Sequence, residues 1–296
     1  MHSQTIRGST RLIGILGNPV EHSLSPQIHN HALKMLGLPY AYVPLKVSMH
    51  SLHIAMAALR ALSFLGANVT IPFKRQVPPY CDVLSPLSTI TGAVNTLYFR
   101  ENLLYGATTD VEGFFRALSW MGHDTAQGRV VILGNGGIAR TLAFAIALER
   151  RIQSLALIGR DAARVSALAH DVSNHTNTVI RHAVFSDPES LRLIRECSLL
   201  VNCTSIGMYP GVDAAPIAPS ALHGGITVFD TIYNPASTKL LTMAKQAGCK
   251  TQNGLRMLLY QGLASFKLWT GVEAPEDIFD IEELQRQAGE IREHTV

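Results

Sequence analysis

The first 110 residues carry hydroxyl, amide and charged side chains at positions that follow or end short apolar runs. They are Ser23, Ser25, Asn68, Thr70, Lys74, Asn95 and Asp110. In an open α/β sheet, ligands bind beyond the carboxyl ends of the strands, so these positions are where a site would form. The set offers hydroxyls, amides, one amine and one carboxylate, which would suit a small, polyhydroxylated, anionic substrate.

Each of these side chains also has an ordinary structural use. Ser25 precedes Pro26 and could cap a helix, and Asp110 could cap the helix that follows it. Asn95 could stabilise a turn, and the Lys74 amine could be solvated. One at a time the residues favour these structural interpretations, and only the whole set points to a ligand site.

A glycine-rich turn lies in the segment VVILGNGGIAR, residues 130–140. Gly134, Gly136 and Ala139 have the spacing of the dinucleotide-binding fingerprint, between a predicted strand and a predicted helix. Gly134 would allow the tight turn, Gly136 would let the main chain approach a pyrophosphate, and Ala139 would keep helix and strand close. The helix N-terminus would offer unpaired N–H groups to the phosphates. An ordinary glycine-rich βα turn and the cofactor turn of a methyltransferase are the alternatives at this point.

The elements that must position these residues alternate between strands and helices along almost the whole chain. The predicted strands are residues 12–17, 41–47, 66–71, 129–134, 154–160, 198–204 and 226–233. The predicted helices are residues 26–37, 51–62, 137–151 and 161–172, with a connecting helix within residues 108–120. Strands such as VVIL and SLALI are apolar throughout, which is typical of a parallel sheet buried on both faces. The alternation predicts an α/β fold, with a domain boundary near residues 106–128.

Composition narrows the class of protein. A chain of 296 residues is long enough for roughly two domains. Its 47% apolar residues provide for packed cores, and its net charge of +3 gives no electrostatic argument for nucleic acid or an anionic membrane as a partner. No apolar run reaches the roughly 18 residues that span a bilayer, and the N-terminus lacks the features of a secretory signal.

Cysteine usage and the absence of other motifs point the same way. Cys81, Cys197, Cys203 and Cys249 are scattered without a C-x-x-C pair, which predicts buried thiols in a reducing compartment and no zinc site. The motifs of P-loop proteins, zincins and α/β-hydrolases are also absent from the sequence. We therefore expect a cytoplasmic protein with no bound metal.

Six segments match, in the same order, motifs of the shikimate dehydrogenase family. They are GNPVEHSLSPQIHN (17–30), NVTIPFK (68–74), GAVNT (92–96), VNCTSIGM (201–208), FDTIYNPASTKLL (229–241) and NGLRMLLYQGLASFKLWTG (253–271). The chain resembles this family over nearly its whole length. Six ordered motifs are far more specific than the glycine fingerprint alone.

The resemblance implies two α/β domains with the active site in the cleft between them. Residues 1–110 with 254–296 would form a substrate-binding domain, and residues 111–253 a Rossmann-like NADP-binding domain. The implied activity is NADP-dependent interconversion of 3-dehydroshikimate and shikimate in aromatic amino acid biosynthesis. The partner would be a small-molecule substrate, and the protein would be a monomer or a homodimer.

Two alternatives remain beside this activity. A paralogue of the same fold would act on quinate or aminoshikimate, and a regulatory binder would use the cleft to sense a metabolite. Ser23 and Ser25, both serines as in the family, favour shikimate over quinate. The presence of both Lys74 and Asp110 argues against a pure binder, which has no need of an acid–base pair.

The resemblance also gives each site residue a role. Lys74 and Asp110 would be the catalytic pair, since hydride transfer from an alcohol requires its hydroxyl proton to leave, and an amine held by a carboxylate can accept it. Ser23 and Ser25 would hold the substrate carboxylate. The ring hydroxyls would be bound by Asn68, Thr70, Asn95 and Gln261. NADP would be bound by Gly134, Gly136, Gly137, Ala139, Arg160, Thr204, Met208 and Tyr233.

The chain departs from the family's motifs at four positions. Thr108 stands where the family usually has asparagine, and Val111 where it has glycine. Asp161 replaces a threonine or serine beside the adenosine phosphate. Arg256 replaces a glycine near the nicotinamide end, where a long cation could crowd the cofactor.

Residues 159–161 decide the predicted choice of cofactor. In NAD enzymes an acid at the end of the second Rossmann strand accepts from the ribose 2′-hydroxyl, but here that position is Gly159. Arg160 resembles the family's arginine for the 2′-phosphate, to which a guanidinium forms forked contacts. Asp161 would repel that phosphate unless it turns away to cap the helix beginning at Ala162. We therefore predict a preference for NADP that is milder than usual for the family.

Overall fold

A computed structural model describes residues 6–126, 128–149, 152–176 and 178–290. The chain divides into two compact units, which we name unit 1 (Met1–Gly113 with Leu259–Val296) and unit 2 (Phe114–Leu258). The predicted limits were residues 110 and 253. The observed limits lie a few residues later, inside the helices Asp110–Trp120 and Leu255–Thr270, because both helices continue from one unit into the next along the chain.

Unit 1 is built on a mixed six-stranded sheet with the order β2-β1-β3-β5-β6-β4. Its strands are β1 (Arg11–Gly17), β2 (Tyr40–Lys46), β3 (Gly66–Val69), β4 (Val83–Leu84), β5 (Thr96–Arg100) and β6 (Leu103–Ala107). β1 pairs parallel with β2 and β3, whereas β5 pairs antiparallel with β3 and β6. Since β1 and β3 run in parallel, the polar residues that follow each of them meet at one edge of the sheet.

Unit 1 also contains six α-helices or parts of α-helices among its described residues. They are α1 (Ser25–Met35), α2 (Leu52–Ala61), α3 (Pro86–Thr91), the start of α4 (Asp110–Trp120), most of α9 (Leu255–Thr270) and α10 (Ile281–Glu290). In α2 the buried residues are Leu52, Met56 and Leu59, and this spacing of three and four residues places them on one helix face. They join a core that includes Phe73 and Leu97.

Helix α9 packs closely on the sheet of unit 1. The indole Nε1 of Trp269 donates to the carbonyl oxygen of Leu97 at 2.8 Å. A side chain at Gly66 would collide with that indole and with the same carbonyl, so only glycine allows the approach. This contact fixes the helix that carries Gln261 and Ser265 above the strands.

Unit 2 is built on a six-stranded sheet in which every pair is parallel, with the order β12-β11-β10-β7-β8-β9. Its strands are β7 (Arg129–Leu133), β8 (Ser154–Gly159), β9 (Ile180–Val184), β10 (Leu199–Asn202), β11 (Thr227–Asp230) and β12 (Lys250–Gln252). Counted from β7, this is the strand order 3-2-1-4-5-6 of dinucleotide-binding folds. The order reverses between β7 and β10, which is where such folds bind their ligand.

The remaining helices of unit 2 lie between its strands along the chain. They are α5 (Gly137–Glu149), α6 (Ala162–Thr176), α7 (Pro188–Arg195) and α8 (Lys239–Gln246). Helix α5 is buried along most of its length, from Ala139 to Ala147. The predicted α/β fold with two α/β units is therefore confirmed. Among the described residues, no helix has the length and apolar character required to cross a bilayer.

Candidate active site

Lys74 and Asp110 form an ion pair in unit 1. Lys74 lies in a short 3₁₀ turn after β3, and Asp110 is the first residue of α4, just after β6. The Lys74 Nζ lies 2.7 Å from the Asp110 Oδ2. The Asp110 side chain is only 8% exposed, whereas that of Lys74 is 24% exposed. The buried carboxylate thus fixes the position of the amine. The Lys74 side chain stays partly exposed, so its amine can contact a ligand.

Asn95 connects this pair to helix α9. Its Nδ2 donates to the Asp110 Oδ1 at 2.9 Å and to the Gln261 Oε1 at 3.1 Å, and its Oδ1 accepts from the main-chain N–H of Thr109 at 2.8 Å. A main-chain N–H can only donate and a carboxylate can only accept, so the Asn95 amide has a single orientation. Both Asp110 oxygens therefore have a donor, and Gln261, which comes from a distant part of the sequence, lies beside them.

Asn68 is held in a second part of the same buried network. The Tyr42 hydroxyl donates to its Oδ1 at 2.7 Å, and its Nδ2 donates to the Ser265 Oγ at 3.0 Å. The Ser265 Oγ in turn lies 2.8 Å from the Thr96 Oγ1 and 3.0 Å from the Thr109 Oγ1. The sequence analysis did not identify Tyr42, Thr96, Thr109 or Ser265. One signal was present, since Ser265 is four residues after Gln261 and so shares its helix face.

Ser23, Ser25 and Thr70 follow the neighbouring strands β1 and β3. The Ser23 Oγ accepts from the main-chain N–H of Ser25 at 3.2 Å. Ser25 is the first residue of α1, and the capping position is Leu24, so the alternative in which Ser25 caps this helix is wrong. Thr70 lies so close to Gly17 that any side chain there would collide with its methyl group. Within the described residues, no hydrogen bond joins the two serine hydroxyls to the Lys74–Asp110 pair.

The glycine-rich turn of unit 2 has the shape that a dinucleotide requires. Gly134 has a φ of +107°, and a Cβ there would lie 3.1 Å from the carbonyl oxygen of Cys203, just after β10. At Gly136, just before α5, and at Gly137, its first residue, a Cβ would meet nothing within 4 Å. Ala139 is fully buried against the sheet. The turn thus leaves open space at the N-terminus of α5, at the point where the strand order reverses, and these residues fit a pyrophosphate.

The end of β8 carries the residues predicted to select the cofactor. Gly159 packs against Val165, where a side chain would collide, and Arg160 is exposed. The Asp161 Oδ1 accepts from the main-chain N–H of Arg164 at 3.1 Å, which is a cap for α6. Asp161 therefore takes the capping position, and the last residue of β8, where an NAD enzyme would carry an acid, is Gly159.

The loops after β10 and β11 join through a buried carboxyl group. The Asn202 Nδ2 donates to the Asp230 Oδ1 at 3.0 Å, and the Thr238 hydroxyl donates to the Asp230 Oδ2 at 2.7 Å. The Thr204 hydroxyl donates to the Asn202 Oδ1 at 2.7 Å. Burial raises the pKa of Asp230 from 3.8 to about 6, against the opposing effect of these hydrogen bonds. This network fixes the loop of Thr204.

We expect Asp230→Asn to change the pH dependence of stability. Between pH 4 and pH 6 the folded state keeps a proton that the unfolded state has lost, since the folded pKa is about 6 and the ordinary one 3.8. Stability of the unmodified protein therefore falls as pH rises through this window, whereas asparagine does not titrate. The free energy of unfolding of the variant relative to the unmodified protein should rise by about 2–3 kcal/mol from pH 4 to pH 7. Urea unfolding at four pH values measures this difference, and a difference that is constant with pH would contradict the assignment.

Two further predicted cofactor residues lie in the same loops. Met208, after β10, is 43% exposed, and Tyr233, after β11, is half-buried. Both follow the carboxyl ends of strands in a parallel sheet, which is the edge where Rossmann folds bind ligands.

The structure shows the contacts or the burial of three residues that depart from the family's motifs. The guanidinium carbon of Arg256 lies 3.5 Å above the ring of Trp120, in a cation–π contact at the end of α4. This contact directs the cation onto an indole face. The Thr108 hydroxyl is buried with no hydrogen-bond partner among the described residues. Val111 is half-buried in the first turn of α4.

Family models match both parts of unit 1. The shikimate dehydrogenase substrate binding domain matches residues 15–97, and the shikimate 5′-dehydrogenase C-terminal domain matches residues 254–279. These ranges include Ser23, Ser25, Lys74, Asn95 and Gln261.

Relatives and solved structures agree with these models. Shikimate dehydrogenase (NADP(+)) of Moorella thermoacetica is 41% identical over 275 residues, covering 93% of each chain. The crystal structure of shikimate 5-dehydrogenase from Listeria monocytogenes in complex with shikimate and NAD is 32% identical, with a TM-score of 0.88, and the match covers 96% of this chain and 98% of that one. Shikimate 5-dehydrogenase from Thermus thermophilus in complex with NADP(H) and shikimate is 34% identical, with a TM-score of 0.83, over 94% of this chain and 99% of that one. With this identity over nearly its whole length, and with the motifs placed as described above, the chain belongs to the shikimate dehydrogenase family.

Proposed function

We propose that this chain catalyses the reversible, NADP-dependent transfer of hydride between shikimate and 3-dehydroshikimate. The observation that carries this proposal is the Lys74–Asp110 ion pair, with Asn95 and Gln261 fixed beside it. Relatives at 38–41% identity over 93% of the chain are named shikimate dehydrogenase (NADP(+)). Unit 1 is the substrate-binding part and unit 2 the NADP-binding part.

The Lys74 amine moves the proton of the reaction. In the direction of oxidation, the neutral amine accepts the proton of the reacting hydroxyl as the C–H bond breaks, and in reduction the ammonium returns it to the carbonyl oxygen. NADP supplies the group that accepts the hydride, and NADPH the group that donates it. Asp110 fixes the amine by one oxygen, while Asn95 holds the other oxygen, so the carboxylate cannot rotate away.

The remaining residues bind the two molecules. Ser23 and Ser25 hold the substrate carboxylate, and the ring hydroxyls are bound by Asn68, Thr70, Asn95 and Gln261. The residues that hold NADP are Gly134, Gly136, Gly137, Ala139, Arg160, Thr204, Met208 and Tyr233. Support for this assignment comes from the open space above Gly136 and Gly137 and from the exposed Arg160 at the end of β8.

We expect Ser23→Ala to weaken substrate binding without slowing the chemical step. The substrate carboxylate keeps its charge throughout the reaction, so a hydrogen bond to it stabilises the ground state and the transition state alike. A hydrogen bond to a charged group contributes about 1.5–3 kcal/mol, so KM for shikimate should rise by roughly tenfold or more, with kcat nearly unchanged.

Ser48→Ala is the matched control for Ser23→Ala. The Ser48 Oγ accepts from the main-chain N–H of Ser51 at 3.2 Å, as the Ser23 Oγ accepts from that of Ser25. Ser48 is in the same unit but is not one of the proposed site residues. Steady-state kinetics should show no change in KM for this control. A KM for shikimate that stays constant in both Ser23→Ala and Ser25→Ala would contradict the carboxylate assignment.

One assay tests the proposed reaction against its alternatives. The purified protein is incubated with shikimate, quinate or aminoshikimate and with NADP or NAD, and the absorbance of the reduced nicotinamide is followed. The proposed function predicts the highest kcat/KM with shikimate and NADP. A preference for quinate or aminoshikimate would indicate a paralogue, and no turnover with any pair would indicate a metabolite-sensing binder.

The proposal also includes the cellular location and the oligomeric state. We place the enzyme in the cytoplasm, as a monomer or a homodimer with no nucleic acid or membrane partner. Sedimentation of the purified protein over a range of concentrations decides between the two oligomeric states.

A further inference from the structure

The Asn68 amide is held at both ends, and the two side chains nearest to it, those of Tyr42 and Ser265, are outside the proposed substrate-binding set. Its Oδ1 accepts from the Tyr42 hydroxyl at 2.7 Å. Its Nδ2 lies 3.0 Å from the Ser265 Oγ and 3.3 Å from the main-chain oxygen of Asn95. Asn68 is 4% exposed, Tyr42 2% and Ser265 0%, so water does not replace these contacts.

The chemistry of the partners fixes which way the amide points. A main-chain carbonyl oxygen can only accept, so the nitrogen of the amide must face Asn95 and Ser265. Burial raises the pKa of Tyr42 well above its ordinary value, so its hydroxyl keeps its proton and can donate to the amide oxygen. His29 stacks on the Tyr42 ring with centroids 4.4 Å apart and also interacts with the Asn68 side chain, although neither of its ring nitrogens has hydrogen-bond geometry to a described residue.

In this orientation the Asn68 amide oxygen can accept one more hydrogen bond. Both amide hydrogens have acceptors in Ser265 and Asn95, with the Thr96 hydroxyl a further neighbour at 3.4 Å. The amide oxygen has two lone pairs, of which Tyr42 uses one. No hydrogen bond to the second lone pair is found among the described residues, although His29 interacts with the Asn68 side chain, and we assign this lone pair to a ligand.

We propose that Tyr42, assisted by Ser265, is a positioning residue that presents Asn68 to the substrate as a hydrogen-bond acceptor only. This inference rests on the proposed function, in which Asn68 binds a ring hydroxyl. The site then requires a substrate hydroxyl that donates to the Asn68 oxygen. It discriminates against a ligand in which a hydrogen atom replaces that hydroxyl group. Without Tyr42, the Asn68 oxygen loses the donor that aligns it.

The test compares Tyr42→Phe with the unmodified protein on shikimate and on analogues in which one non-reacting ring hydroxyl is replaced by hydrogen. For shikimate, KM should rise by about tenfold with kcat within about threefold, since one aligned hydrogen bond is lost. For the analogue that lacks the hydroxyl bound by Asn68, KM should change by less than about twofold. KM for NADP should stay constant. The Ser25 hydroxyl also contacts that of Tyr42, but a loss at Ser25 would weaken every analogue equally, because all carry the carboxylate.

Two control variants separate positioning from folding. Tyr260→Phe removes another buried hydroxyl of unit 1, which bonds Glu276 at the same distance of 2.7 Å, and it should leave the KM values unchanged. Ser265→Ala acts on the opposite end of the amide and should shift the KM values in the same selective way. Its control is Ser88→Ala. Ser88 is also 0% exposed, but its hydroxyl has no hydrogen-bond partner among the described residues.

The outcomes are distinct. A selective rise in KM in both Tyr42→Phe and Ser265→Ala supports the inference. An equal rise for shikimate and every analogue, or no rise, overturns it while the proposed function stands. Absence of turnover by the unmodified protein on shikimate overturns both.

Discussion

Replacing Lys74 with alanine should lower kcat by at least about a hundredfold, with only a small change in KM for shikimate. General acid–base catalysis by a positioned side chain contributes about 10²–10⁴-fold in rate. The proton moves only as the transition state forms, so its loss lowers kcat and kcat/KM together. Steady-state kinetics in both directions, with a melting curve to verify folding, measure the effect.

Arg75→Ala is the matched control for this variant. Arg75 is the next cation in the same 3₁₀ turn and is exposed, so its removal changes the local charge equally and should leave kcat unchanged. If Lys74→Ala kept a near-normal kcat, another group would have to be the base. If Arg75→Ala were equally slow, the effect would be one of charge in general and not of proton transfer.

Replacing Arg160 with alanine should reduce the preference for NADP by about ten- to hundredfold. Hydrogen bonds to a charged group contribute about 1.5–3 kcal/mol, and only NADP carries the 2′-phosphate that receives them. The value of kcat/KM should therefore fall for NADP and change by less than about threefold for NAD. Measuring both cofactors at saturating shikimate gives the ratio.

Arg195→Ala serves as the control, because its guanidinium donates to the carbonyl oxygen of Ser220 and it precedes β10, at the amino edge of the sheet. Asp161→Ser is an informative second variant, since serine can still cap α6 while the carboxylate is removed. We expect it to raise the preference for NADP. An unmodified protein that prefers NAD, or a ratio that Arg160→Ala does not change, would overturn the assignment.

Much of unit 2 could be predicted from the sequence. Its strands β7 and β8 are short apolar runs between helices with clear starts, and a parallel sheet buried on both faces produces that pattern. The predicted strands 129–134 and 154–160 differ from the observed ones by one residue at most. The edge strand β9 was missed because its sequence, IRHAV, is neither apolar throughout nor alternating: Arg181 and His182 are adjacent polar residues, and both are exposed.

The hairpin of β5 and β6 in unit 1 was not predicted either. Its turn is formed by Glu101 and Asn102, which have φ values of +50° and +64°. Such turns usually show an Asn-Gly or Asp-Gly pair, and this sequence offers no glycine there. A search for alternating strands and helices therefore could not predict the antiparallel strands β5 and β6.

The candidate site shows a similar division. The sequence analysis selects Ser23, Asn68, Lys74 and Asp110 because each lies at or after the end of a strand, and their roles stay predictions. Tyr42 could not be found in this way, since it lies inside β2 and reads as an ordinary strand residue. Its proposed role in positioning Asn68 depends on a 2.7 Å hydrogen bond between the two side chains. No local sequence pattern predicts a contact between residues on different strands.

The position of helix α9 in the sequence has a consequence for how the protein is made. The bond from Asn95 to Gln261 joins residues 166 positions apart, and the bond from Asn68 to Ser265 spans 197 positions. At a synthesis rate of about 5–20 residues per second, the first strands of unit 1 wait roughly ten to forty seconds on the ribosome before α9 exists. Most of unit 2 is synthesised in that interval. During that time the face of the sheet that receives Trp269 lacks α9, so this face is open to aggregation until Asn68 and Asn95 gain their partners on that helix.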